Sequence, residues 1–319
     1  VDITDASSRG VSVNGASARA DLVGVDLSGC SDGVYVNDGT ATLNNVTATG
    51  GAYGVRALNA ALVELNGVTA SSNSHTGVYI DRGTANLSDV TANGNTSYGV
   101  YVYRAATVTL TNVTASSNNY GLYAYYSDST VDATGCTFTG NSTYGVYADG
   151  YNSFVPLLTI TNSSIHSNTG AYDYYVRRYA DPDDVVLDAT GNWWGTTDEE
   201  SIRGRIYDHA NNTTSPMVDW GGHLDGPGGM AVPVAYYPSV GVICDGTTSW
   251  NQTDQPYVLL TDVVVCPTGV LQVAAGVQVQ ALPGAGIAIE VHGQLDINGA
   301  VGNEAVFTSY ASAPAAGNW

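Results

Sequence analysis

Short runs of alternating apolar and polar residues recur along most of this chain, at a nearly constant interval. Gly-Val-Tyr or a close variant appears at Gly33, Gly54, Gly77, Gly99, Gly121 and Gly145, with Gly10-Val11 before and Gly170-Ala171-Tyr172 after, at spacings of 21 to 25 residues. A second signature lies between these points: Leu43-Asn-Asn-Val-Thr-Ala48, Leu65-Asn-Gly-Val-Thr-Ala70, Leu87-Ser-Asp-Val-Thr-Ala92 and Leu110-Thr-Asn-Val-Thr-Ala115. Period-two alternation marks strands with one face on a core. In Gly33-Val34-Tyr35-Val36 the two valines point inward and the tyrosine outward; in Ala41-Thr42-Leu43 the threonine is outside.

Each unit therefore predicts three short strands. The turn column between the second and third reads Gly24, Asn45, Gly67, Asp89, Asn112 and Gly135, the residue types that tolerate a left-handed backbone. A unit of about 22 residues cannot bury its own apolar face, but stacked copies bury a continuous cylinder and pair each strand with its equivalents above and below. Parallel pairing follows. A leucine-rich repeat would need a helical half and a Leu-x-x-Leu-x-Leu-x-x-Asn run, and a propeller blade needs about 40 residues.

These repeats resemble the right-handed parallel β-helix superfamily, which includes pectate-lyase-like enzymes, phage tailspikes and many secreted surface proteins. The resemblance covers residues 1–220 and implies an all-β solenoid with three strands per coil. It rests on core, turn and ladder positions, so it speaks to fold more than to function. Asn192-Trp193-Trp194-Gly195 with Ile206-Tyr207-Asp208 resembles the closing segment of bacterial secreted β-helix proteins. Residues 221–240, dense in Gly and Pro, read as a linker. Residues 241–319 read as a second β-rich module: Val258 to Val265, Gly269-Val270-Leu271, Gly276 to Val279, Gly293-Gln294-Leu295 and Ala305 to Ser309 resemble the opening coils of another β-helix. Val1 to Asp5 and Gly317-Asn318-Trp319 each read as the middle of a coil, which suggests a piece of a longer repetitive chain or a subunit that stacks head to tail.

Charge narrows the partners. The formal net charge is −20, and all nine basic residues are Arg. Such a surface repels nucleic acid and anionic lipid and suits divalent cations or neutral glycans. No apolar run reaches the length of a membrane helix and no charged-then-apolar stretch stands at the N-terminus; the chain begins at Val1 rather than Met and reads as a processed form or an excerpt. Glycosylation triplets stand at Asn45, Asn86, Asn95, Asn112, Asn141, Asn162, Asn211, Asn212 and Asn251, although columns of Asn and Thr generate such triplets by themselves.

Of the four cysteines, Cys30 and Cys136 lie about five coils apart, roughly 24 Å at about 4.8 Å per strand, beyond disulfide reach. Cys136 falls in the inward column as filler. Cys244 and Cys266 flank the start of the second module, and a bridge there would staple its first coil and place the protein in an oxidising compartment.

Tyrosine is the most suggestive residue for function. Tyr35, Tyr79, Tyr101, Tyr123 and Tyr147 form one outward column, Tyr103 and Tyr125 the next, and Tyr53, Tyr98, Tyr120 and Tyr144 precede the repeat Gly, the strip being edged by Asp81, Asp149 and Arg104. It reads either as a stabilising ladder or as a contact surface for glycan or a neighbouring filament. A Thr column (Thr47, Thr69, Thr91, Thr114, Thr137) lacks the matched second column of an ice-binding face. Asp181, Asp183 and Asp184 are weak Ca²⁺ candidates, without the spacing of a ligand loop; no other cofactor is indicated. A polysaccharide lyase would use a Lys or Arg base, and the nearest candidates are Arg177, Arg178 and His166; a hydrolase would need carboxylates about 5–9.5 Å apart in one groove. The regular coils show no such cluster and no long inserted loops. The sequence thus points to an extracellular structural protein, with a glycan-binding adhesin and a polysaccharide-active enzyme as alternatives.

Overall fold

The computed structural model describes residues 8–311 apart from 60, 127, 152–155, 178–184, 235 and 284–285. The repeat folds as a parallel solenoid. One nine-stranded sheet stacks the Gly-Val-Tyr strands, from Arg9–Asn14 through Tyr98–Tyr103 to Ile206–Tyr207, and a second stacks nine strands from Arg19–Val23 to Met217–Asp219. The third side is thinner. It consists of single parallel bridges along the Thr column, Asp26 to Thr47, Thr69, Thr91, Thr114 and Thr137, widening to the pair Thr137–Thr139 and Ser164–His166.

Register follows the apolar column. Val34, Val55, Val78, Val100, Leu122 and Val146 are successive partners in the first sheet, and all six are fully buried. The repeat glycine has a steric cause: a Cβ on Gly77 or Gly99 would lie 2.7 or 2.8 Å from the carbonyl oxygen of the glycine one coil further on. All six positions of the turn column have positive φ, between 53° and 65°.

The corners before the five first-sheet strands from Thr76–Asp81 to Tyr174–Arg177 hold a buried asparagine ladder that the sequence reading passed over. Asn73, Asn95, Asn118, Asn141 and Asn168 stack in order, and each Oδ1 from Asn95 onward accepts both the backbone N–H and the Nδ2–H of the preceding asparagine. Each Nδ2 also donates to a backbone carbonyl, of Ala48, Ala70, Ala92, Ala115 and Phe138 respectively. The amides thus align head to tail, and a carboxylate ends the chain. Asp173 Oδ1 accepts both N–H groups of Asn168, and Arg205 clamps Asp173 at 2.9 and 3.1 Å. This corrects two of the glycosylation candidates. The side chains of Asn95 and Asn141 are 2% and 0% exposed with their amide nitrogens engaged inside the fold, so neither can carry a glycan. Asn45, Asn112, Asn162, Asn211 and Asn251 are exposed, and Asn86 and Asn212 half-buried.

The closing segment folds back onto the last coils. Asn192 Nδ2 donates to the carbonyls of Ile160 and Ala189, Trp194 is buried, and a short helix, Glu199–Arg203, starts at its N-cap Asp198. Beyond it, His223, Leu224 and Tyr236 are buried within the Gly/Pro-rich stretch 221–240. Residues 237–309 then form two more parallel sheets, one containing Tyr237–Ile243, Tyr257–Val265, Gln278–Ala281, Ile289–Val291 and Val306–Ser309, the other Gly246–Trp250, Gly269–Val273 and Gln294–Ile297. Strands Tyr237–Ile243 and Tyr257–Val265 pack on Met217–Asp219, so one hydrophobic core runs through both parts. Cys244 and Cys266 form a disulfide; Cys30 and Cys136 are buried thiols, and burial pushes the Cys136 thiol up to about 11.

The ladder generates a prediction. Asn118→Ala strands the buried donors of Asn95 and leaves the Ala92 carbonyl without its amide, at about 1–3 kcal/mol for such unsatisfied groups. Asn66→Ala removes only an exposed rung to Asn44 and costs under about 0.5 kcal/mol. Equilibrium denaturation of the two variants measures the difference.

Candidate functional site

The outer face of the first sheet carries the tyrosines, because parallel in-register stacking places each one directly above its equivalent. Tyr79, Tyr101, Tyr123 and Tyr147 stack with ring centroids 5.0, 5.1 and 4.7 Å apart, the last two pairs nearly parallel at 10° and 12°. Tyr103 and Tyr125 stack alongside at 5.6 Å, and Tyr53, Tyr98, Tyr120 and Tyr144 line the other edge. Tyr175 and Tyr207 extend the face across the closing coil, with centroids 4.4 Å apart. Sequence reasoning missed these last two, although Tyr207 lies within the closing segment it singled out.

Tyr35 is not part of the stack. Arg56 occupies the intervening rung, its guanidinium carbon 4.7 Å from the Tyr53 ring centre and about 6 Å from those of Tyr35 and Tyr79. Arg9 covers Tyr35 at 3.2 Å, leaving that ring 8% exposed. The column beside the tyrosines reads Asp81, Tyr103, Tyr125, Asp149 and Arg177. Both carboxylates are buried: Asp81 is held by Arg104 and Arg82, while Asp149 accepts hydrogen bonds from the hydroxyls of Tyr123 and Tyr147 and faces Arg177. Two of the basic residues considered for lyase chemistry are thus otherwise engaged. Arg177 pairs with Asp149, and His166 contacts Ser167 Oγ and the edge of Trp193. Arg178, Asp181, Asp183 and Asp184 lie outside the described residues.

Because ring faces in the interior of the ladder are covered by other rings, the strip presents ring edges and hydroxyls. That geometry suits hydrogen bonding to a hydroxyl-rich or amide-rich partner more than face-on stacking of a sugar. Burial raises the phenol pKa values, with neighbouring phenols and Asp149 adding to the effect. Tyr79 and Tyr175 are pushed up to about 12, and Tyr101, Tyr123 and Tyr147 further still. These five phenols therefore stay protonated in any biological medium.

A second arrangement sits where the closing segment meets the second module. A cavity of about 480 Å³ is lined by Asp198, Glu199, His223, Tyr236, Leu282 and Tyr310 among others. Glu199 Oε1 accepts the Tyr236 hydroxyl, while Glu199 Oε2 and His223 Nε2 are buried without a hydrogen-bond partner among the described residues. Burial, with Asp198 adding to it, raises the Glu199 carboxyl from 4.5 to about 7, and burial lowers the His223 imidazole. A carboxyl poised near neutrality beside an unprotonated imidazole can act as general acid.

A family model described as right handed beta helix region matches residues 9–169. The chain belongs to the right-handed β-helix family. No curated protein matches it. The family match ends before the closing segment, so the junction cavity lies outside it, whereas most of the tyrosine strip lies within the β-helix coils that it covers.

Two predictions follow from the electrostatics. At about pH 11, one unit above the ordinary phenol value, ultraviolet absorbance of the native protein shows Tyr79, Tyr101, Tyr123, Tyr147 and Tyr175 un-ionised, and unfolding releases their further phenolate signal. For Glu199, the folded state holds its proton more tightly than the unfolded state, so stability present below pH 4.5 falls as pH rises towards 7 and stays lost above it. Glu199→Gln carries no such proton. The wild type is expected to lose more melting temperature than this variant between about pH 5 and about pH 8.

Proposed function

We propose that this β-helix is an extracellular structural protein, a stiff acidic scaffold that touches its surroundings through the tyrosine strip and associates end to end. The observation that carries the reading is the strip itself: a row of ring contacts running from Tyr79 to Tyr207 on successive coils, backed by an in-register sheet. Such a surface is flat and repetitive, as a lateral contact requires. Two further features agree with it. The Cys244–Cys266 disulfide fits an oxidising compartment, and the high negative charge keeps separate rods soluble.

The adhesin alternative uses the same strip, with glycan hydroxyls bonding to the phenols. The enzyme alternative uses a different place, the junction cavity with Glu199 as general acid and His223 beside it. One set of variants separates the three. Electron microscopy and sedimentation of the wild type are expected to show elongated assemblies, and Tyr103→Ser with Tyr125→Ser is expected to abolish their side-by-side contacts. A monomer at every concentration, together with polysaccharide binding that the double variant loses, replaces the scaffold with the adhesin. Polysaccharide cleavage that disappears in Glu199→Gln replaces it with the enzyme.

A further inference from the structure

The junction between the first helix and the second module contains a group of side chains that none of the readings above uses. After strand Ile206–Tyr207 the chain turns through Asp208 and His209, and both meet the second module. Asp208 is fully committed. Its Oδ1 accepts from Arg203 Nη2 at 2.7 Å and the Ala210 N–H at 3.1 Å, and its Oδ2 from the Val218 N–H at 3.1 Å and the Thr261 hydroxyl at 3.0 Å.

His209 is in the opposite condition. Its Nδ1 lies 2.9 Å from the Ser215 carbonyl oxygen, which can only accept, so Nδ1 carries the ring proton. In a neutral ring Nε2 is then a bare lone pair, and it faces two carboxylate oxygens, Glu290 Oε1 at 3.3 Å and Asp262 Oδ2 at 3.9 Å. One ligand atom from each of the three residues lies within 4.8 Å of the other two. Three lone pairs converging on one point, two of them from residues almost fully buried, repel unless a proton or a metal ion stands between them. Among the described residues, the ion-pair contacts of Asp262 and Glu290 are with histidines and not with arginine.

We propose that His209, Asp262 and Glu290 bind a divalent transition-metal ion, zinc by its donor set, that fastens the second module to the closing end of the first helix. One imidazole nitrogen and two carboxylate oxygens suit zinc, cobalt or manganese better than calcium, which takes six to eight oxygens. Metal–ligand bonds of about 2.0–2.2 Å at a tetrahedral centre place ligand atoms roughly 3.4 Å apart. The 3.3 Å separation of Nε2 and Oε1 matches that value, and the 3.9 Å separation needs a small side-chain rotation. The supporting contacts are those of a metal site: the Ser215 carbonyl fixes the histidine tautomer, and the Ala288 N–H holds Asp262 Oδ1 and leaves Oδ2 turned towards the centre. Glu290 is partly exposed, which gives the ion a route in and leaves room for water as a fourth ligand. His292 stands at this rim, its Nε2 3.9 Å from Glu290 Oε2. The ligands come from both parts of the chain, His209 from the first helix and the two carboxylates from strands Tyr257–Val265 and Ile289–Val291.

The test uses the full chain, stripped with a chelator and titrated with Zn²⁺ or Co²⁺. One equivalent is expected to bind, with a rise in melting temperature, and Co²⁺ is expected to show the visible absorption of a low-coordinate site with a nitrogen ligand. Glu290→Gln, at a partly exposed position chosen to keep the fold, is expected to weaken binding by more than about 100-fold and to lose both signals, since even supporting residues are worth 10–100-fold. Glu304→Gln, on an exposed carboxylate elsewhere in the module, is expected to leave them unchanged. Binding that is equal in wild type and Glu290→Gln would show adventitious carboxylate association and overturn the proposal. So would the absence of stoichiometric binding in wild type, which would mean that the three side chains share only a proton.

Discussion

Each coil of this protein depends on the coil beside it. A 22-residue turn of the solenoid closes almost none of its own backbone hydrogen bonds, so the strands exist only because an equivalent strand lies one coil away in register. That single requirement orders the rest of the structure. It fixes the valine column inside, it leaves glycine as the residue that permits the close approach of successive coils, and it places like residues above like. The buried asparagine ladder applies the same rule to the corners, where the sheets give no support. Its amides polarise one another in sequence, and the carboxylate of Asp173, neutralised by Arg205, satisfies the last donors.

The aromatic face is the outward expression of the same register. Tyrosines that repeat at one position of the unit must stack, and stacking hides their faces, raises their pKa values and leaves a line of hydroxyls. Where the repeat lapses, so does the stack: Arg56 takes one rung and sets its guanidinium over Tyr53 of its own strand, between Tyr35 and Tyr79 on the neighbouring coils. The junction obeys different rules. There the repeat has ended, Asn192 and Trp194 fold the chain back, and the second module covers the exposed core. Unusual chemistry collects at this place, in the raised carboxyl of Glu199 and the convergence of His209, Asp262 and Glu290, because docking two modules buries polar groups that a regular coil would keep at its surface.

Much of this was legible in the sequence where one local constraint repeats. The valine column, the left-handed turn column and the glycines each follow from the residue types at a fixed offset. The Cys244–Cys266 bridge was legible because its partners lie one coil apart. The asparagine ladder escaped because its spacing slides between 22 and 27 residues and two of its members resemble glycosylation triplets. A column of Asn just before the repeat glycine was nevertheless visible, and burial at a corner is what it signified. Arg56 under the tyrosines needed register at the level of single residues. The junction cluster could not be read at all, since Glu290 stands 81 residues from His209 and no repeat connects them.

The central claim is that coil-to-coil hydrogen bonding, side-chain as well as backbone, makes the solenoid one stiff body through its corners. Amide hydrogen exchange resolved to single residues tests it most directly. The account predicts that the backbone N–H groups of Asn73, Asn95, Asn118 and Asn141, each donated to a buried side-chain amide, exchange as slowly as those of the adjacent strands although they lie in turns. Corner amides that exchange freely while the strands remain protected would contradict it.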